Sequence, residues 1–345
     1  MWKNIVITLA ILISLCSCSN DHSLDVLTFD TTVELTTERI AIVKPNITYP
    51  YDMFVTENYI YVLSLCYHKW LHCYDRFTGV YINSFINRGR GPEELLTCID
   101  LHYDNESGIV YLYDRDLERM LSLKVSEEQP DLSLIEENNY TEIDSALFRQ
   151  MWPLADSKII TNSQLGEIED ALGRFQLYTK AGVQIHTCDD VPDLRGDDIY
   201  TYLQSSVTIS PDQSHMASMT LFGEILEIYN LSEKAIIKKV EKIYSAPNII
   251  FKDGTIWGTD DTIYGFPFST SDNSYIYASM ANDKNPNNFN KIVVFDWNGN
   301  GILKISTDYN VLRMALYEGD IYAIVLNAKN ELFFACYKIK DLIEG

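Results

Sequence analysis

The sequence predicts an all-β fold, a six-bladed β-propeller, and three observations lead to it. Short apolar or alternating runs recur between turns of Gly, Asn, Asp or Ser, and no stretch has the period of a long amphipathic helix. Tyrosine is abundant, with 23 residues, and proline is modest, with 10, a composition that favours strands. An element made of a turn followed by an Ile-Tyr-type strand recurs six times along the chain. We therefore expect six similar units, each a meander of three or four strands.

The repeated element has a spacing of roughly 45–60 residues. Its central residues are Ile60, Ile109, Ile159, Met216, Ile276 and Ile321. Most copies are followed by a strand that ends in a hairpin turn, such as Thr78-Gly79 or Asn298-Gly299. One unit cannot bury both of its faces alone, but neighbouring units in a ring cover them. A pair of β-sandwiches is the alternative, and it predicts strand spacings of about 8–12 residues without a longer period.

Residues 1–17 are predicted to be a lipoprotein signal peptide. A basic residue precedes an apolar run, Ile5 to Leu15, which is too short to span a bilayer as a helix. A small residue and Cys18 close the run, and a cysteine in that place is typical of bacterial lipoproteins. Cys16 fits less well, because Leu15 immediately precedes it. We expect acyl chains such as palmitate on Cys18, and an outer-membrane lipoprotein on either side of that membrane.

Residues 18–30 are polar and acidic without periodicity, and we expect them to form a tether between the lipid and the fold. The propeller is predicted over residues 31–345. Its last unit, residues 310–340, supplies roughly three strands, so the ring needs one more strand to close. We expect the segment from Thr32 to Val43 to add that strand to the last blade.

The net charge of the chain limits the classes of partner that it can bind. The formal net charge is −22, and removal of residues 1–17 would take away only one basic residue, Lys3. Nucleic acid is not expected as a partner, because its binding depends on Lys and Arg side chains that neutralise phosphates. Electrostatic binding to anionic lipid is not expected either, so membrane attachment would come from the acyl chains. Solubility is a sufficient explanation of the charge.

Five cysteines remain after the signal and the lipidated residue: Cys66, Cys73, Cys98, Cys188 and Cys336. An odd number cannot all pair within one chain, and their spacing resembles no disulfide framework. Most lie in apolar, strand-like runs, so we expect buried thiols that act as small hydrophobic groups. Cys66 with Cys73 is the one plausible bridge, and the sequence leaves it open.

One loop carries a motif. The segment Arg88-Gly89-Arg90-Gly91-Pro92-Glu93-Glu94-Leu95 precedes an Asp-bearing strand, Cys98-Ile99-Asp100-Leu101. Together with the lipoprotein start and the six-fold meander, this G-x-G-P-x-E segment resembles the six-bladed, TolB-like propeller lipoproteins of Bacteroides-type bacteria. The resemblance covers residues 31–345 and implies the fold, but no activity, because propellers host enzymes and binding proteins alike. Glu93 stands where that family often has Gly.

The same loop is the best candidate for a binding site. Gly89 and Gly91 would let backbone amides approach a partner, and the two arginines bring positive charge to an acidic body. Such a loop could hold a carboxylate or another anionic group. The alternative is a structural connection between two blades, in which the arginines and glutamates pair with each other. The ligand-binding candidates in this loop are Arg88, Arg90, Glu93 and Glu94.

The segment from Cys66 to Cys73 holds four residues able to bind zinc, but their spacing is not that of a zinc site, so we expect no metal. A hairpin whose tip displays His68 and Trp70 is the better interpretation. These two side chains would line the mouth of the central channel, and they complete the ligand-binding candidates.

No catalytic signature is present: the chain has no Gly-x-Ser-x-Gly, Walker loop or dinucleotide-binding glycine pattern. Acidic pairs such as Asp260-Asp261 do not match a calcium loop. We therefore expect no cofactor and favour a monomeric ligand- or protein-binding module, whose partner is a protein, peptide or glycan. A propeller-type lyase or hydrolase acting on a glycan or a lactone-like ester is the main alternative. A subunit of a surface uptake complex is a third interpretation.

Overall fold

The computed structural model describes residues 24–42, 47–140, 148–163, 174–188, 194 and 196–344. The predicted signal peptide, Cys18 and the first part of the tether lie outside the described residues. Six sheets surround a common channel, and the first strands of most neighbouring sheets contact each other, with the last sheet next to the first. The predicted six-bladed β-propeller is confirmed. No helix in the described ranges is long and apolar enough to cross a membrane.

In each blade, consecutive strands pair antiparallel from an innermost first strand outward. Two strands precede the first blade: β1 (Thr31–Leu35) and β2 (Glu38–Ile42). The first blade comprises β3 (Asp52–Val55), β4 (Tyr59–Cys66), β5 (Lys69–Asp75) and β6 (Tyr81–Asn87). The second comprises β7 (Cys98–Asp104), β8 (Ile109–Asp114), β9 (Arg119–Val125) and β10 (Leu132–Asn139). The third comprises β11 (Phe148–Leu154), β12 (Lys158–Ser163), β13 (Phe175–Thr179) and β14 (Gln184–Cys188).

The remaining blades follow the same order. The fourth comprises β15 (Ser205–Ile209), β16 (His215–Thr220), β17 (Glu224–Leu231) and β18 (Ile236–Ser245). A separate hairpin, β19 (Ile249–Lys252) and β20 (Thr255–Gly258), comes next. The fifth blade comprises β21 (Phe268–Ser271), β22 (Tyr275–Met280), β23 (Lys291–Asp296) and β24 (Gly301–Thr307). The sixth comprises β25 (Asn310–Tyr317), β26 (Asp320–Leu326) and β27 (Leu332–Tyr337). The described helices are two 3-10 segments and α1: Ala155–Ser157, Gly196–Gln204 and Lys340–Glu344.

The predicted repeat corresponds to the second strand of every blade. All six central residues lie at the first or second position of β4, β8, β12, β16, β22 and β26. These strands are largely buried because a neighbouring blade packs on each side, so most of them appear as apolar runs. Between the first and second blades, for example, Phe54 and Tyr61 pack with Leu112 and Leu121. The fifty-residue period of the sequence is therefore the blade period.

The N-terminal strands join two different blades. β2 pairs antiparallel with β27 and is the fourth strand of the sixth blade's sheet. β1 pairs parallel with β24 on the outside of the fifth blade. The segment expected to close the ring, Thr32 to Val43, thus divides between two blades, and Val43 lies outside the described residues.

The end of the expected tether packs on the ring. The backbone N–H of Asp25 donates to the carbonyl of Ile243 at 2.8 Å, and its carboxylate lies 3.4 Å from Lys242, both residues of β18. Phe29 packs on Phe295 of the fifth blade, with ring centroids 5.6 Å apart. Residues 24–30 therefore run along the outer edges of the fourth and fifth blades.

The cysteines behave as small hydrophobic groups. Cys73, Cys98, Cys188 and Cys336 are buried. Cys66 lies opposite Lys69, whereas Cys73 lies opposite Tyr61, so the two are separated along the β4–β5 ladder by about 13 Å at ~3.3 Å per residue. A disulfide needs Cα atoms within about 7 Å. The structure therefore contains no Cys66–Cys73 bridge.

Candidate functional site

The six inner strands surround a channel that opens into a cavity at one end. We call the face at which the first strand of each blade begins the upper face. The upper cavity has a volume of about 640 Å³ and receives residues from all six blades. Its polar and charged lining includes Asp52, Asp100, Gln150, Ser206, Ser269 and Arg313. A smaller cavity of about 310 Å³ opens at the opposite, lower face.

The position of these residues along the channel follows from the blade repeat. Asp52, Ser206, Phe268 and Arg313 each pair with the residue three places after the centre of the repeat in their own blade: Leu63, Met219, Ser279 and Ile324. In the second and third blades the pairing is interrupted by irregularities between Cys98 and Asp100 and between Phe148 and Met151. Such β-bulges re-aim side chains and are frequent next to functional sites. The inner strands thus form a ring of residues, one from each blade, at the wall of the cavity.

Asp52 begins the first inner strand, and its carboxylate accepts a hydrogen bond of 2.8 Å from the N–H of Met53. Within the described part of the chain, no basic side chain lies within 4.0 Å of it. Burial raises the pKa of Asp52 to about 7, Arg313 lowers it, and Asp100 raises it further. This carboxyl group therefore changes its charge near neutral pH.

Asp100 is positioned through a chain of amides. The Gln150 Nε2 donates to Asp100 Oδ1 at 3.0 Å. Asn162, which is only 1% exposed, holds Gln150 from behind, because its Oδ1 accepts the Gln150 N–H at 2.7 Å and its Nδ2 donates to Gln150 Oε1 at 3.3 Å. A buried amide thus fixes the side chain that orients the carboxylate.

Arg313 provides a fixed positive charge at the boundary of three blades. Its Nε donates to the carbonyl of Tyr51, and its Nη1 donates to the carbonyl of Leu312 at 2.6 Å. The guanidinium lies 3.4 Å from the ring centroid of Phe268 and 5.5 Å from that of Tyr49. Burial lowers the pKa of Arg313 to about 10, so it stays protonated at neutral pH.

The other half of the wall is uncharged. The hydroxyls of Ser206 and Ser269 lie 2.9 Å apart, and those of Thr208 and Ser271 lie 2.8 Å apart further down the channel. Trp152 and Phe268 supply aromatic surface. Blades six, one and two therefore present the charged groups, whereas blades three, four and five present amide, hydroxyl and aromatic groups.

The predicted candidates do not line either channel cavity. In the Gly-rich loop, the central group is Arg119 of β9, which sequence reasoning missed. Its Nη1 donates to the carbonyl of Gly91 at 3.1 Å and pairs with Glu137 at 3.0 Å, and its Nη2 donates to the carbonyl of Glu94. The Glu94 carboxylate in turn accepts the N–H of Gly91 at 2.9 Å. The loop is thereby fastened to the second blade.

The glycines of this loop make room for a side chain of the same loop. A Cβ atom on Gly89 would collide with the Glu94 carboxylate, and one on Gly91 would come within 2.9 Å of it. Sequence reasoning assigned this close approach to an external partner, but Glu94 already occupies the space. The arginines and glutamates of the loop form no ion pairs with each other among the described residues, so the expected internal pairing is also wrong.

The remaining candidates differ in exposure. Arg88 and Arg90 are exposed, and the Nε of Arg88 donates to the carbonyl of Leu96 at 3.2 Å. Glu93 is exposed and has φ +58°, in the left-handed region that favours glycine. That conformation explains why the family resemblance includes a glycine there. Ligand binding by these loop residues stays a prediction.

The hairpin tip is formed by Tyr67 and exposed His68, with φ values of +48° and +63°. The expected display of Trp70 is wrong: this side chain is 3% exposed, and its Nε1 donates to the carbonyl of Leu95 at 2.7 Å. The Trp70 side chain is buried because its ring packs between the first two blades. Its neighbour His72 is buried, bonds to Ser84 and Ser64, and has its pKa lowered by burial. In the ranges that the structure describes, no three His, Cys, Asp or Glu side chains gather as a metal site.

Comparison with known proteins agrees with this architecture. The sequence profile described as TolB-like 6-blade propeller-like matches residues 28–318. No curated protein matches the chain. A presumed exported protein from Bacteroides fragilis NCTC 9343 has a similar structure, with a TM-score of 0.55 and 12% identity over 90% of this chain and 99% of that one. The calcium-binding protein regucalcin from Agrobacterium tumefaciens strain C58 gives a TM-score of 0.51 at 10% identity, over 88% and 95% of the two chains. At such identities the likeness shows the fold alone.

Proposed function

The chain belongs to the family of TolB-like six-bladed propellers, and we propose that it is a lipid-anchored binding module of the cell envelope. It would hold a small polar ligand in the upper cavity. The observation that carries this proposal is a cavity of about 640 Å³ whose polar side chains converge from all six blades. Cavities of this size that combine apolar walls with a few placed polar groups are typical ligand sites.

The wall of the cavity is rigid, which favours binding. Asn162 holds Gln150, and Gln150 holds Asp100, while Arg313 is fixed by two backbone carbonyls. Side chains held in this way lose little conformational entropy when a ligand binds. These contacts support a site that is largely formed before the ligand arrives.

Binding is tested with the chain from residue 19 onward, purified without the lipid. We expect compounds from a library of small polar metabolites to raise its melting temperature, and Gln150→Ala to abolish that effect. Arg90→Ala is the control, because Arg90 is exposed and outside the cavity. Binding that survives Gln150→Ala but is lost in Arg90→Ala would place the ligand on the Gly-rich loop instead.

The anchor is tested separately. We expect metabolic labelling with palmitate to modify the wild-type chain and to fail in Cys18→Ser, which would be released from membranes. Cys16→Ser is the matched control and should retain the label. Equal labelling of Cys18→Ser would contradict lipidation at this residue.

A hydrolase or lyase is the second candidate, and one observation favours it. Asp52 has a pKa of about 7 and feels the charge of Asp100, and paired carboxyl groups of this kind serve in acid–base catalysis. Turnover of glycan or lactone-like esters that is lost in Asp52→Asn would support it. Binding without any turnover by the wild type would exclude it for the compounds tested.

A further inference from the structure

We propose that the ligand of the upper cavity carries a protonated primary amine, which binds between Asp52 and Asp100. This inference rests on the proposed function, because it concerns the ligand of the same cavity. It names a chemical class, which neither the fold nor the family supplies.

The first argument is the charge of the wall. Among the described residues that line the upper cavity, Asp52, Asp100 and Arg313 are the charged ones, so the ionised wall has one negative charge more than positive. Two of the N–H donors of Arg313 bond to the carbonyls of Tyr51 and Leu312, and its guanidinium packs on the Phe268 ring. Arg313 lowers the pKa of Asp52 from a distance, and the two side chains form no ion pair in the described structure. A cationic ligand would restore the balance.

The second argument is the state of Asp52. A carboxylate taken out of water is unfavourable unless a cation or several donors accompany it. Asp52 has one backbone donor, from Met53, and no ion pair among the described residues, and burial raises its pKa to about 7. An ammonium group supplies three donors and the missing charge. The formal net charge of −22 would also draw cations toward the mouth.

The third argument concerns the body of the ligand. Across the channel from the carboxylates, the wall offers Ser206, Ser269, Trp152 and Phe268. Hydroxyl and aromatic groups suit an aliphatic chain or a polyol rather than a second charge. The arrangement fits a small molecule with one cationic end, such as an aliphatic amine or an amino sugar.

The pKa values of Arg313 and Cys98, which lie near Asp52, are shifted to values far from pH 7. Arg313 of β25 has a pKa of about 10, and on β7 burial raises the pKa of Cys98 well above its ordinary value. Burial lowers the pKa of His102, also on β7, which favours its neutral form. A binding profile with a midpoint near pH 7 would therefore belong to Asp52, or to its pair with Asp100.

The experiment compares matched probes by ligand-observed NMR titration of the chain from residue 19. Hexylamine is compared with hexanol and hexanoate, and glucosamine with glucose, so that each set differs in charge at one position. We expect hexylamine to bind about tenfold tighter than hexanol at pH 8, or glucosamine to bind about tenfold tighter than glucose at pH 7, because the amine of an amino sugar is less basic than an alkylamine. The affinity for hexylamine should fall about tenfold at pH 6, because Asp52 becomes protonated while an alkylamine with a pKa of about 10 keeps its charge. The two sets distinguish an aliphatic body from a sugar body.

Two variants make the result specific. Asp52→Asn should abolish both the preference for the amine and the pH dependence. Glu224→Gln is the matched control, since Glu224 is a buried acid with a pKa of about 7 that lies outside the cavity, and this variant should keep both. Equal or tighter binding of hexanol, hexanoate or glucose would overturn the amine proposal and leave the cavity as a ligand site. If neither these probes nor the metabolite library bind, the proposed function fails as well.

Discussion

The Gly-rich loop from Arg88 to Leu96 and the wall of the upper cavity both gather polar and charged side chains, but in different ways. In the loop, Arg119 and Glu94 bond to backbone groups of the loop itself and fasten it to the second blade. In the cavity, Asp52 has a single backbone donor and lines the wall. The Gly-rich loop, in which the polar residues are close in sequence, thus has a structural role. The candidate site is formed instead by single residues from six blades.

The largest effect is expected when the loop fastening is removed. Arg119→Met deletes three hydrogen bonds and leaves Glu137 unpaired, so we expect a loss of about 3 kcal/mol in the free energy of unfolding, measured with urea. Lys124→Met is the control on the same strand, because Lys124 is exposed and bonds only to the carbonyl of Ser107 in the described structure. Equal losses in the two variants would argue against a fastening role for Arg119.

The next effect tests the cavity. Asp52 has a folded-state pKa of about 7, above its ordinary 3.8, so the folded protein binds the proton more tightly than the unfolded chain. Its protonated form stabilises the fold, and this contribution is lost as the pH rises from about 4 to about 7. Asp52→Asn should therefore match the wild type near pH 4 and exceed it by about 1–2 kcal/mol at pH 8, in urea titrations at both values.

A matched acid sharpens this test. Glu224 is 4% exposed, its Oε1 has no hydrogen-bond partner among the described residues, and burial raises its pKa to about 7. Glu224→Gln should give the same sign of stability change with pH as Asp52→Asn, without any effect on cavity ligands. If the stability difference between Asp52→Asn and the wild type does not change with pH, while that of Glu224→Gln does, the Asp52 carboxyl group is better solvated than its position indicates.

A smaller gain is expected in the loop. Glu93 has φ +58°, which is unfavourable for a residue that carries a Cβ atom, so Glu93→Gly should stabilise the protein by about 0.5–1 kcal/mol. Glu106→Gly is the comparison, because Glu106 is exposed and does not have a positive φ, and it should gain nothing. Thermal unfolding of both variants decides between relief of strain and a general effect of losing a negative charge.

The smallest effect concerns the exposed arginine. Arg90→Ala should change the free energy of unfolding by less than about 0.5 kcal/mol, since Arg90 is exposed. If Arg90 instead binds an anionic partner, the variant will lose that partner while its stability is unchanged. Measuring both properties on the same preparation separates the two roles of the loop.

The fold could be predicted because its signal is repeated. Each second strand is largely buried, so Ile60, Ile276 and most of their equivalents stand in apolar runs that recur once per blade. The site gives no such signal. Asp52, Gln150 and Arg313 are single polar residues at the starts of inner strands, more than 90 residues apart in the chain, and only closure of the ring brings them to one wall.

The division of the N-terminal strands could not be predicted for a related reason. The alternation in residues 31–43 indicates strands, but it does not tell which sheet edge each strand will join. β1 pairs parallel to β24, an arrangement outside the antiparallel meander on which the repeat is based. A parallel partner leaves no turn in the sequence, so composition and turn signals cannot reveal it.

The path of residues 24–42 has a mechanical consequence. Asp25 bonds to β18, β1 bonds to β24 and β2 bonds to β27, so this segment crosses the perimeter of three consecutive blades. Force applied at residue 24 would pull first on these outer contacts and be shared among three sheets before it reaches an inner strand. Residues 24–42 contact the outer edges of the blades and do not line either channel cavity, so these contacts would carry such a force outside the candidate site.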